Sequence, residues 1–316
     1  MKIKTIGRLC REAMEEWIAS LPTELQQPAM EDAFLTGGAI ASLFLAERVN
    51  DWDIYFRTTT TAQAVAEHYV QRFKDCAPAG LKDDPKIHRI AVRVDGSRVT
   101  VHVQSAGVVS ATSGESDYQY FEGDTAERPD LIDEYVNVVF DFQANRVEVE
   151  SDYTPVLMSG NAITLGRADK RKAPLQMILR FTGEPAEVHK NFDWAHATNW
   201  FDLKHGLVTN TTALGCLLTR ELIYQGTRYP LAALIRSYKF MDRGWQRPHA
   251  GHMLVLTQEL AGLNWDDPHT WYDQLTGVDF AYFHEVIARI RKLLAEGVGM
   301  EEIVHSYLAQ IVEEVM

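Results

Sequence analysis

Cysteine is nearly absent from this sequence: three in 316 residues, at Cys10, Cys76 and Cys216, with no CxxC or Cys/His spacing. That argues against a disulfide framework or a structural zinc site and fits a reducing compartment. Long apolar runs are missing as well, and none approaches the roughly 20 residues a bilayer-spanning helix takes. The opening MKIKTIGRLCREAMEEW carries charge throughout and lacks the apolar centre of a signal peptide. A soluble, cytoplasmic protein with no membrane partner is expected. Basic residues are in deficit, 31 against 44 acidic ones, for a formal charge of −13. Affinity for long nucleic acid draws on the counterions a basic face releases. Nonspecific binding to long duplexes is therefore disfavoured, and only a local basic patch, suited to a nucleotide or an RNA end, is available.

Hydrophobic periodicity divides the chain in two. A first helix runs to about Leu21 and stops at Pro22. Ala33–Gly38 reads as a short strand entering a glycine turn, and Ile40, Leu43 and Phe44 follow at helical spacing. Asn50–Phe56 reads as a strand, and Thr60 with Gln63 as a capping box ahead of a helix striped by Ala62, Val65, Ala66, Tyr69, Val70 and Phe73. Ile87–Val94 and Val99–Gln104 flank Asp95-Gly96 as a hairpin, and Tyr135–Phe142 with Arg146–Ser151 form a second. Strands at AITL (from Ala162) and Leu175–Phe181 precede a short helix at Glu184–Lys190. After about Leu207 the pattern is mostly helical, ending in two stripes, Phe283 to Leu294 and Ile303 to Val312. The expectation is an α+β protein: a helical segment over 1–30, a mixed-sheet domain over 31–205 and a helical domain over 206–316.

One segment carries chemistry: Phe34–Phe56, FLTGGAIASLFLAERVNDWDIYF. Gly37 and Gly38 stand between a strand and a helix start, where the lack of a side chain lets backbone N–H groups approach a phosphate and the helix dipole favours the anion. The helix returns the chain to a strand carrying Asp51 and Asp53. Alternate strand residues share a face, so both carboxylates point one way with Tyr55 while Trp52, Ile54 and Phe56 point into a core. Two adjacent carboxylates repel unless a cation lies between them, and their hard oxygens suit Mg²⁺.

Gly-Gly, a helix and then Asp-x-Asp with apolar neighbours resembles the DNA polymerase β-type nucleotidyltransferases. The resemblance implies a palm of mixed sheet and flanking helices, a two-Mg²⁺ site at Asp51 and Asp53, and an NTP whose phosphates lie on Gly37 and Gly38. It implies in-line transfer of a nucleoside monophosphate to a hydroxyl, with an RNA (tRNA-like) 3′ end as the first acceptor. Protein or small-molecule acceptors, or an inactive, virion-associated binding protein, are the alternatives. The stretch Ala162–Phe201, with Phe192-Asp193-Trp194 in place of an FDF-type strand, resembles nucleotidyltransferases carried by bacteriophages. It makes Asp193 the third metal-binding carboxylate, with Asp141 as its rival. Tyr229-Pro230 followed by LAALIRSYKFMDRGW resembles a helix of tRNA nucleotidyltransferases and poly(A) polymerases. It would face Leu231, Leu234, Ile235 and Tyr238 inward and offer Arg236 and Lys239, with Arg243, to phosphates. The arginine that often follows Gly-Gly in the tRNA enzymes is missing here, and so is an EDxxR-like base-selecting motif, so CCA addition is not implied. His189, His196 and His205 read as core or surface histidines rather than metal ligands.

Overall fold

Alternating apolar strands and amphipathic helices give the expected α+β architecture, a mixed sheet with flanking helices. The computed structural model describes residues 1–76, 90–103 and 151–265, with isolated positions beyond. The second expected hairpin (up to residue 150), Asp141 and, apart from Leu293, the two C-terminal stripes lie outside the described residues. No helix among the described residues is long and apolar enough to cross a membrane.

Helix α1 (Ile3–Ala19) buries Ile6, Cys10, Met14 and Trp17, a spacing that puts all four on one face. Burial pushes the Cys10 thiol up to about 12, so it packs as an apolar group. Pro22 does more than stop α1: it is the N-cap of α2 (Thr23–Asp32), which the periodicity did not reveal. Strand β1 (Ala33–Thr36), helix α3 (Gly38–Leu45) and strand β2 (Trp52–Phe56) follow. Helix α4 (Thr59–Cys76) is capped by Thr58, whose hydroxyl accepts the Thr61 N–H, and not by Thr60. Gln63 instead donates to Glu67 one turn on. Strands β3 (Ile90–Asp95) and β4 (Arg98–Val103) form the expected hairpin, with Gly96 in the left-handed region at φ 57°.

Seven strands make the main sheet, in the order β5-β6-β7-β2-β1-β8-β9. Besides β1 and β2 these are β5 (Thr154–Ser159), β6 (Ala162–Gly166), β7 (Leu175–Thr182), β8 (Trp200–Asp202) and β9 (Gly206–Val208). The pairing of β2 with β7 is parallel and the others are antiparallel, so the sheet is mixed. Strand β9, which completes it, begins one residue after the boundary expected at 205. Helix α5 (Pro185–His189) follows β7; α6 (Thr211–Thr219), α7 (Pro230–Asp242) and α8 (Ala250–Ala261) follow the sheet.

One face of the sheet sends Leu35, Ile54, Phe56, Met177 and Phe201 into the main core with Trp17 and Tyr69. There the Trp17 indole N–H donates to the Tyr69 hydroxyl at 3.0 Å. A second core joins Ala41 of α3 to Trp194, Cys216, Ala233, Trp245 and Leu256. The buried positions of α7 are Pro230, Ala232, Ala233 and Ser237, while Tyr238 is exposed. The deepest positions are therefore small residues, with Leu234 of the expected stripe half-buried against the second core and Tyr238 turned outward.

Candidate active site

The sequence places Asp53 in β2, and the register sets its neighbours. Thr36 of β1 lies directly opposite it, and Gln176 of β7 lies beside it on the parallel side. Thr164 of β6 pairs with Gln176 in turn. Cross-strand partners share a face, so Thr36, Asp53, Gln176 and Thr164 form a polar row across four strands. Asp51 stands just before β2, and both it and Asp53 are half-buried. The row borders an aromatic layer: Tyr55 stacks on Phe34, with ring centroids 5.8 Å apart, and meets Phe192 at 5.8 Å. Beyond the row, Tyr55, Phe34 and Val188 close this face of the sheet as a small third core.

Gly37 turns the chain at the head of α3 with φ 96° and ψ −153°, a conformation close to glycine-only. Its N–H donates to the Ala197 carbonyl at 3.1 Å, so it is not offered to a phosphate. Its service is spatial: a Cβ here would stand 2.8 Å from Oδ2 of Asp53. Gly38, the first residue of α3, is exposed, with nothing within 4 Å of a would-be Cβ. Of the two glycines, Gly38 alone presents a helix-end N–H to an open surface. Gly37→Ala is expected to lower stability by about 1–3 kcal/mol in urea titration, and Gly38→Ala by under about 1 kcal/mol.

Thr36 ties the turn down. Its hydroxyl donates to the Asn199 carbonyl at 2.9 Å and lies 2.8 Å from His189 Nε2. One proton arrangement satisfies both, with His189 donating from Nε2 to Thr36. Burial pushes the His189 imidazole down to about 4, which keeps it neutral.

Asp193 does not sit on a strand. Residues 192–199 form a turn with a 3-10 helix at Ala195–Ala197, entered through an isolated bridge between Trp194 and Tyr224. Strand β8 starts only at Trp200. Asp193 Oδ2 accepts Arg236 Nη1 of α7 at 2.6 Å, and Oδ1 accepts the Trp194 N–H at 3.0 Å. The pair belongs to the same neighbourhood as the strand aspartates. Burial first, and then the charges of Asp53 and, more weakly, Asp193 and Asp51, push the Tyr55 phenol well above its usual range, with Arg236 opposing them. Lys239 follows Arg236 by three residues on α7, at neighbouring helical spacing. Arg243, at the end of α7, pairs with Glu47 at 2.6 Å, and Arg220 pairs with the same carboxylate at 3.0 Å. Arg236 and Arg243 of the basic stripe are therefore each bonded to a carboxylate of this chain.

Among the described residues no three of His, Cys, Asp and Glu are grouped so as to hold a metal ion. Asp51 and Asp53 nonetheless supply hard oxygens of the kind Mg²⁺ takes, and Asp53 Oδ2 sits so close to Gly37 that a Cβ there would crowd it. Sequence reading missed Thr36 and Gln176. Strict alternation in LQMILRFT, with Leu175, Met177 and Leu179 buried, was the signal that could have found Gln176. Gln176→Glu would set a third carboxylate beside Asp53 and is expected to tighten Mn²⁺ binding about tenfold in a calorimetric titration, because ligand charge count tunes such sites. Unchanged affinity would remove Gln176 from the metal's surroundings.

Residues 8–220, which include Gly37, Asp51, Asp53, Gln176 and Asp193, match the family model described as Gabija anti-defense 2 family protein, Gad2. The chain belongs to the Gad2 family. Arg236 and Lys239 lie beyond the matched residues. No curated protein matches the chain. Among solved structures, the Bacillus stearothermophilus CCA-adding enzyme in complex with CTP is 12% identical, with 83% of this chain and 49% of that one covered and a TM-score of 0.36. The Thermotoga maritima CCA-adding enzyme complexed with tRNA is 10% identical, with 78% and 45% covered and a TM-score of 0.35. The Gad2 chain spans about half the length of these structures. Likeness this slight transfers no residue roles.

Proposed function

We propose that this Gad2 protein is a Mg²⁺-dependent nucleotidyltransferase, moving a nucleoside monophosphate from an NTP to a hydroxyl acceptor, and that it acts in the cytoplasm. The reading is supported by Asp53, which lies between Thr36 and Gln176 on the sheet and would stand 2.8 Å from a Cβ on Gly37, with Asp51 two residues before it in the chain. Asp51 and Asp53 would hold the metal, which when bound lowers the pKa of an attacking hydroxyl and neutralises the pyrophosphate that leaves. Gly38 and the first turn of α3 receive phosphate charge through backbone N–H groups and the helix dipole. Arg236 and Lys239 bring positive charge to the same anion. Tyr55, Phe34 and Phe192 wall the floor and exclude water from one side.

An RNA 3′ end is the first acceptor proposed. A second reading, favoured by the anti-defense description of the family and by the −13 charge, is transfer onto a protein of the Gabija defence. Purified protein incubated with Mg²⁺ and each α-³²P-labelled NTP, with bulk RNA in one arm and Gabija proteins in the other, separates them. Label in RNA supports the first acceptor, and label on protein the second. Label in neither arm nor in small-molecule hydroxyls, with the same result for an Asp51→Ala/Asp53→Ala control, leaves a binding protein without catalysis and overturns the proposal.

A further inference from the structure

The loop between β6 and β7, residues 167–174 (Arg-Ala-Asp-Lys-Arg-Lys-Ala-Pro), holds four basic residues and one acidic one in a chain whose formal charge is −13. Two of the four cations anchor it. Arg167 is buried and donates to the Tyr153 hydroxyl at 2.9 Å and to Glu16 of α1 at 2.7 Å. Lys172 reaches the same Glu16 oxygen at 2.6 Å, and the Ala168 N–H is taken by Asp152 at 2.8 Å. Asp169 then closes a tight turn: its side chain accepts the Arg171 N–H at 3.0 Å and its carbonyl the Lys172 N–H at 2.9 Å. The tip is left to Lys170 and Arg171, both exposed. Lys170 has no ion-pair partner among the described residues. Arg171, with 90% of its side chain exposed, pairs with Asp169 of its own turn.

The sheet register places this tip at the rim of the candidate site. Strands β2 and β7 are parallel and so begin at the same end of the sheet, where the Trp52 N–H donates to the Pro174 carbonyl at 2.9 Å. Asp51 is the residue just before Trp52. Strand β1, antiparallel to β2, ends there and enters the Gly37 turn. Lys170 stands five residues ahead of Leu175, so its Cα is at most about 19 Å from the start of β7 at 3.8 Å per residue. We propose that this loop seats a single-stranded RNA, with Lys170 and Arg171 holding backbone phosphates a few nucleotides before a 3′ end that lies at Asp51 and Asp53. This rests on the nucleotidyltransferase reading above and names the path of its acceptor. A strand whose end lies at the aspartates has to leave the site over one of its rims. This rim offers cations on a turn that is already ordered, which lowers the cost of fixing them on binding. Two phosphate contacts suit a flexible single strand, whereas a long duplex would bring its phosphates against the acidic remainder of the surface.

The test reads binding alone. Full-length protein is titrated into a short fluorescein-labelled oligoadenylate in EDTA, so that no transfer takes place, and anisotropy is followed over a series of KCl concentrations. On a single strand each phosphate neutralised contributes about −0.7 to the slope of log K against log salt. Lys170→Gln/Arg171→Gln is therefore expected to make the slope shallower by about 1.4 and to weaken binding at low salt, with the melting temperature unchanged. Asp169→Asn keeps the oxygen that closes the turn and removes the charge that competes for Arg171. It is expected to tighten binding about three- to fivefold, the scale of one exposed ion pair, and a gain of this kind cannot come from misfolding. Wild-type protein that does not bind, an unchanged slope in the double variant, or unchanged or weaker binding in Asp169→Asn would each overturn the inference. So would labelled polyglutamate that binds more tightly than the RNA, since the loop would then fit an acidic protein. All of these outcomes leave the nucleotidyltransferase reading standing, because it rests on Asp51 and Asp53 and is decided by label transfer. RNA binding by a protein that transfers no label would overturn that reading and leave the loop as an RNA-binding surface.

Discussion

Replacing Asp53 by asparagine is expected to cut nucleotidyl transfer by about a hundred- to a thousandfold, the scale on which removing one preorganised stabiliser of developing charge acts. The metal-free protein should meanwhile be as stable as wild type, or slightly more so. Asp53 stands on the half-open end of the sheet face, between Thr36 and Gln176, and its charge and that of Asp51 both raise the buried Tyr55 phenol. Asparagine has the same shape and can still hydrogen-bond, and it removes one of the negative charges that bear on the buried Tyr55 phenol. The two measurements are a single-turnover assay with the labelled NTP and a urea titration in EDTA. A drop in transfer accompanied by a large loss of metal-free stability would make Asp53 a structural residue. Full transfer by the variant would remove it from the chemistry.

The sequence made the floor of this site readable because the floor is made of strand. Alternation in Trp52–Phe56 separates Asp53 and Tyr55 from Ile54 and Phe56, and the structure keeps that separation: Ile54 and Phe56 enter the main core and Tyr55 the small third one. Helix α4 was legible for the same reason, since Ala62, Val65, Ala66, Tyr69 and Val70 are all buried. What a period cannot carry was misread. Residues 192–199 are largely buried without being a strand, because Trp194 and His196 pack against helices α6 to α8 rather than against sheet neighbours. The partners of the charges were hidden as well. Arg236 and Asp193 are separated by 43 residues, and a helical wheel shows a basic stripe without showing the anion it meets. The sequence suggests Gly37 as a phosphate donor, whereas its N–H meets the Ala197 carbonyl and its missing side chain leaves room for Asp53 Oδ2, neither of which a sequence pattern displays.

Acid should unfold this protein earlier than its carboxylates alone would, because two histidines are buried neutral. Burial pushes both His189 and His196 down to about 4, and for His196 the nearby Asp193 opposes the shift only in part. In the unfolded chain an imidazole takes up its proton near 6.5. Between 6.5 and 4 the unfolded chain therefore binds more protons than the native one, so stability is complete above about 6.5 and declines as pH falls. By pH 5 each imidazole withdraws about 2 kcal/mol. The upper part of this window lies above the range, from about pH 5 downward, in which Glu16, Glu47, Asp152 and Asp202, all held below their usual values, begin to contribute. His196 is the more informative of the two. Its ring packs 4.4 Å from Phe240 and 4.3 Å from Trp245 between centroids, and neither ring nitrogen has a hydrogen-bond partner among the described residues. Phenylalanine fits the same aromatic surroundings without a buried polar atom to satisfy. His196→Phe is expected to match or exceed wild-type stability at pH 7.5 and to lose about half as much as wild type on going to pH 5, as read by urea titration. Equal losses in the two proteins would mean that His196 already titrates normally, and that the packing of the second core around it is looser than these contacts imply.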